Sequence, residues 1–131
     1  MGNIEFRILK KIKCVHAIGT GKIDFNYMIN RAKYIHNHPD VELFFNHFID
    51  YENAVISFTD KDFESYFTFF EDLKKTNIRR KWAVYTKNEI THKTANMHHL
   101  FESGKIEVEV FQNREMALAF LGITEEDLAD Y

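Results

Sequence analysis

VELFFNHFIDY, running from Val41 to Tyr51, decides the fold. Leu43, Phe44, Phe45, Phe48 and Ile49 make it nearly continuously apolar, the pattern of a strand covered on both faces. Such a strand belongs inside a sheet with helices on its two sides, so the neighbouring sequence should alternate helix and strand. Immediately upstream lies HNHPD, which holds Pro39, the only proline. A residue before proline is steered away from helix, so a helix should end near His36 to His38. That helix starts after Asp24, a natural N-cap, and Phe25, Met28, Ile29, Ala32 and Ile35 give it one apolar face. Further back, Asn3 to Leu9 and Lys13 to Gly19 read as strands. Val15 and Ala17 alternate with Cys14, His16 and Ile18, and Gly19 and Gly21 mark a turn.

Downstream of Tyr51, Thr59 with Asp62 forms an approximate capping box. The helix it opens carries Phe63, Tyr66, Phe67, Phe70 and Leu73 at helical spacing. Trp82 to Thr86 is the next strand. Ile90, Ala95, Met97, Leu100 and Phe101 mark another helix, ending near Gly104. Ile106 to Phe111 alternates as a strand, Arg114 to Leu121 is a short helix stopped by Gly122, and Thr124 caps a last turn through Leu128. The order is ββαβαβαβα. It predicts an α/β domain with a mostly parallel sheet, helices on its faces, and an antiparallel first strand.

The chain has 131 residues, the size of a single domain covering 1–131. Such a domain buries roughly two-thirds of its unfolded surface and needs neither disulfide nor metal to fold. Thirteen Phe, six Tyr and one Trp exceed what a core must hold, and the surplus points to an oligomer interface. A net charge of −3, with both signs mixed along the chain, argues against a nucleic-acid role. The one basic cluster is Arg79-Arg80-Lys81 with Lys74 and Lys75. It reads as a helix C-terminus followed by a solvated arginine pair. Cys14 is alone, no stretch resembles a signal peptide, and none approaches a membrane span, which together predict a cytoplasmic protein.

The search for chemistry returns little. Seven histidines are present, His16, His36, His38, His47, His92, His98 and His99. A metal site needs three or four convergent donors, and no HExxH or Cys-rich spacing supplies them. His36 and His38 read as residues of the exposed turn before Pro39. His98 and His99 point about 100° apart on a helix. His47 falls among buried neighbours, so its ring must find polar partners, Asn46 among them. There is no phosphate-binding glycine loop and no nucleophile elbow. No catalytic residue, metal or cofactor is therefore assigned. In open α/β sheets, ligands bind beyond the carboxyl ends of the parallel strands. That rule selects Asp50, Thr86 and Asn88, together with the helix start at Thr59, as ligand-binding candidates.

The C-terminal half, RRKWAVYTKN…THKTANMHHLFESGKIEVEVFQNREMALAFLGI, resembles bacterial SpoIIAA-like proteins, a branch grouped with STAS domains. The residues carrying the likeness are Trp82-Ala83-Val84, Met97, Val110-Phe111, Ala117 and Phe120-Leu121. Two positions depart from the family pattern: Phe120 stands where Trp is common, and Asn96 stands where a basic residue often precedes the helix Met. The resemblance implies a non-enzymatic regulatory domain acting through protein–protein contacts, with an unidentified protein or a second copy of itself as partner. In the better-known STAS proteins a Ser in a DSSG-like turn is phosphorylated. Here Asp50 is followed by Tyr51-Glu52-Asn53, so only Ser57 and Thr59 are left as phosphorylation candidates, and both read more simply as a turn residue and a helix cap. The alternative implied by fold similarity is a small apolar-ligand or lipid carrier like CRAL-TRIO domains, its pocket lined by Phe-rich helices.

Overall fold

The computed structural model describes residues 2–42, 44–57, 61–62, 64, 68, 79–87 and 106–129. They form a mixed, mostly parallel five-stranded sheet whose strands lie side by side in chain order. β1 (Asn3–Leu9) turns through a 3₁₀ segment, Lys10–Ile12, into β2 (Cys14–Asp24), which pairs with it antiparallel. α1 (Phe25–His36) then crosses over to β3 (Asn46–Ser57). β3 pairs parallel with β2 on one side and with β4 (Arg80–Tyr85) on the other, and β4 pairs parallel with β5 (Ile106–Phe111). α2 (Arg114–Leu121) and α3 (Glu125–Ala129) close the described chain.

The predicted Phe-rich strand is central, but it is displaced along the sequence. Ahead of it the N–H of Val41 donates to the His38 carbonyl and that of Phe45 to the Glu42 carbonyl, so residues 41, 42, 44 and 45 stand outside the strand. The strand starts at Asn46 and runs on through the polar-looking tail Tyr51-Glu52-Asn53 to Ser57. Ala54 and Ile56 are buried while Asn53 and Val55 face out, a two-residue alternation hidden behind charged neighbours. Ser57 therefore sits in a strand opposite Asp24 rather than in a turn. β2 is longer than expected for a related reason. Gly19 and Gly21 do not end it; the pairing shifts register between Ile18 and Thr20, and Gly21 takes up a φ of 74°. Gly19 is required for another reason: a Cβ there would lie 2.6 Å from the Tyr51 ring.

Alternation along the strands sends side chains into two cores. Beneath α1 lie Val15, Ala17, Trp82, Val84 and Val108, met by Phe25, Met28, Ile29 and Ile35 of the helix. On the opposite face Leu9, Cys14, Phe48, Ala83 and Tyr85 meet Ala117, Leu118, Leu121 and Leu128. Phe48, fully enclosed, contributes about 1.5–3 kcal/mol by its burial alone. The caps expected at Asp24, Gly122 and Thr124 are in place, the one expected at Thr59 lies outside the described residues, and Asn113 is a cap that the sequence reading did not name. Asp24 accepts from the N–H of Tyr27, Asn113 accepts from that of Met116, and Gly122 closes α2 with φ 71°. Thr124 and Asp127 exchange bonds as a capping box at α3.

Of the helix expected after Thr59, the described residues Lys61, Asp62, Glu64 and Thr68 are helical. The helix expected over Ile90 to Phe101 lies outside the described residues, as do Lys74, Lys75, His92, His98 and His99. Two expectations about charged residues are corrected. Arg80 is buried rather than solvated, because β4 starts there and alternation turns its side chain toward the α1 core. His36 closes α1 half-buried instead of standing in an exposed turn; burial and the nearby Arg80 charge both lower its pKa. No helix among the described residues is long and apolar enough to cross a membrane.

Candidate functional site

Asp50 is the last residue of β3 to pair with β4, opposite Tyr85, whose own neighbour on β5 is Phe111. It therefore stands where the parallel strands end, on the face covered by α2 and α3. Its carboxylate is the hub of a part-buried polar cluster. Oδ1 accepts the Glu52 N–H at 3.1 Å, and Oδ2 accepts from Nη1 of Arg114 at 2.6 Å. Nε2 of His16 stands 4.0 Å from the same Oδ2, an electrostatic contact longer than a hydrogen bond. Burial pushes the Asp50 pKa up, but His16, the Glu52 N–H and Arg114 together outweigh it, and the carboxyl is held below its ordinary value.

The second arginine sets the state of His16. Nη2 of Arg7 lies 3.0 Å from Nδ1 of His16 and also donates to the Leu128 carbonyl at 3.0 Å. Arginine has donors only, so Nδ1 must accept and the ring proton sits on Nε2, facing Asp50. Phe48 floors the cluster: the His16 ring stacks on it at 5.1 Å and the Arg114 guanidinium lies 5.3 Å from its centroid. Arg114 completes the frame by donating through Nε to Glu125 at 2.8 Å. Both carboxylates raise its pKa, Glu125 most. A satellite network lies just outside, where Glu52 accepts from Lys87 at 2.7 Å and from the Tyr85 hydroxyl at 3.3 Å.

Chemically most of this arrangement is engaged, the exception being Nε2 of His16, which is buried without a hydrogen-bond partner among the described residues. Both Asp50 oxygens are engaged, Nδ1 of His16 is taken, and His16 is only 3% exposed. The cluster ties β1 and β2 to α3 through Arg7, and β3 to α2 and α3 through Arg114, so it fastens the C-terminal helices onto the sheet. The remaining candidates are placed as follows. Thr86 is buried one residue past β4, and its N–H donates to the Phe111 carbonyl at 3.0 Å. Thr59 and Asn88 lie outside the described residues, and Ser57 ends β3 away from the cluster. His47 is buried on the other face against Trp82, ring centroids 4.5 Å apart. Burial, with His36 and Arg80 nearby, drives its pKa down to about 3. The Oδ1 of Asn46 accepts the Lys81 N–H at 2.8 Å, so this oxygen serves β4 instead. No group of three His, Cys, Asp or Glu able to hold a metal occurs among the described residues.

Sequence reading found Asp50 but missed Arg7, His16 and Arg114. One signal was available. Arg114 opens a helix, where the macrodipole disfavours a cation, so a basic residue there needs a compensating anion. The apolar-ligand reading calls for a cavity of roughly 300–1,000 Å³ along Phe-rich helices whose aromatic residues lie outside the described residues. Beneath α1, the space bounded by Ala17, Met28, Ile35, Ile49 and Trp82 measures about 40 Å³. Comparison with protein-family models, with curated proteins and with solved structures finds no match to this chain.

Proposed function

We propose that the chain is a non-enzymatic interaction or regulatory domain of the SpoIIAA-like, STAS-related kind, working through protein–protein contacts and first of all with a second copy of itself. One observation carries this reading. At the strand ends, where an α/β ligand site would form, Asp50 is already satisfied by Glu52 and Arg114 while His16 is held by Arg7. A ligand entering there would have to break bonds that fasten two helices to the sheet. The outer surface offers more to a partner: Tyr34, Phe44 and Met116 are large apolar side chains between 45% and 61% exposed.

Sedimentation equilibrium on the purified protein tests the reading. Self-association at micromolar concentration is expected, and Asp50→Asn, where it remains folded, should associate as tightly as the parent. A strict monomer removes the self-association. Loss of association in a folded Asp50→Asn variant would return the strand-end cluster to the role of functional site.

A further inference from the structure

We propose that the outer edge of β1 is the self-association surface, pairing antiparallel with β1 of a second copy across a two-fold axis through Phe6. This deepens the proposed function and rests on its premise that the chain binds itself. β1 is the end strand of the sheet, and no described strand pairs with its far side. The N–H of Ile4 donates to the Tyr27 hydroxyl at 3.0 Å and not to β2. Ile4, Phe6 and Ile8 therefore turn their backbone groups outward, since alternate residues of an antiparallel pair bond to opposite sides.

The sequence of this edge is complementary to itself. In Ile4-Glu5-Phe6-Arg7-Ile8, a two-fold axis at Phe6 sets each Ile4 opposite Ile8 of the second copy, each Glu5 opposite its Arg7, and Phe6 opposite Phe6. Sliding the pairing by two residues in one direction sets Glu5 against Glu5, and in the other Arg7 against Arg7. Like charges directly opposite are unfavourable. A slip of one residue sets outward backbone groups against inward ones. Charge and pleat thus select the same register. In it the two Phe6 residues exchange both backbone bonds, and each Ile8 N–H reaches the Ile4 carbonyl of the second copy, while Tyr27 keeps the Ile4 N–H.

The side chains suit the arrangement. Glu5 is exposed, and Phe6, Arg7 and Ile8 are partly exposed. Arg7 is held through Nη2 by His16 and Leu128, its Nε is buried without a hydrogen-bond partner among the described residues, and only part of the side chain reaches the surface that would face Glu5 of a second copy. On the α1 face Phe6 lies against Tyr34, ring centroids 6.0 Å apart, and Tyr34 is 57% exposed. This aromatic flank would meet its counterpart beside the joined strands.

The test pairs a charge reversal with a cross-link. Glu5→Arg replaces both cross-strand attractions by repulsions and should weaken dimerisation about tenfold or more, with Glu5→Gln in between. Phe6→Cys should form an intermolecular disulfide readily, because opposite residues of a hydrogen-bonded pair lie about 5.5 Å apart at Cα. Glu5→Cys faces Arg7 instead and should cross-link more slowly. Cys14, fully buried, does not compete. A dimer indifferent to Glu5→Arg, or cross-linking faster through Glu5→Cys than Phe6→Cys, overturns this surface while leaving self-association standing. A strict monomer overturns both. Should Phe6→Cys fail to fold by circular dichroism, the exposed Glu5 variants decide alone.

Discussion

His47 sets the acid behaviour of the fold. Enclosed against Trp82, its imidazole has a pKa near 3 in the folded chain, against 6.5 when solvated. Below pH 6.5 the unfolded chain takes up a proton that the folded chain refuses, so stability falls with pH down to about 3, by roughly 1.4 kcal/mol per unit. His36, also lowered, adds the same sign. Asp50, held below its ordinary value, costs stability only further down, as pH falls past the ordinary carboxylate range. Urea midpoints followed by Trp82 fluorescence or circular dichroism should be level above pH 7 and decline from pH 6.5 toward 4. His47→Phe should flatten much of that decline; an unchanged slope would contradict the account. Cys14 is another buried titrating group, its thiol pushed up to about 12 by burial. It should resist a thiol reagent in buffer and react only once the chain is unfolded. Rapid labelling of the native protein would place it elsewhere.

At the scale of elements, local chemistry explains why some boundaries were readable. Asp24, Asn113 and Thr124 supply side-chain oxygens to orphan N–H groups, so α1, α2 and α3 begin where short-range sequence says they should. Gly122 ends α2 in the left-handed region, and no atom lies within 4 Å of where a Cβ would be. Gly122→Ala should therefore cost only the conformational penalty, about 1 kcal/mol, seen as a lower urea midpoint. No change would mean that the turn is not held as described. Strand limits were less legible because they depend on partners distant in sequence. Phe44 and Phe45 advertise burial in a strand, yet Phe44 is 45% exposed and both precede the strand. Glu52 and Asn53 look like a loop, but β2 runs on alongside and keeps β3 extended to Ser57. Apolar content reports what is buried, and only the neighbouring strand decides what is straight.

Across the whole molecule, the alternation of elements was legible enough to give a mostly parallel sheet with an antiparallel first strand and a central β3. The strand-end cluster was legible only at Asp50. Arg7, His16 and Arg114 come from β1, β2 and α2, and nothing local in the sequence announces that they converge. Their convergence makes the cluster a fastening of α2 and α3 to the sheet. A double-mutant cycle in urea on Asp50→Asn and Arg114→Met tests this most directly. A coupling of at least about 1 kcal/mol is expected, reduced from the fully buried case because Arg114 is partly exposed. Effects that add to within about 0.3 kcal/mol would show that the pair fastens nothing and would contradict it.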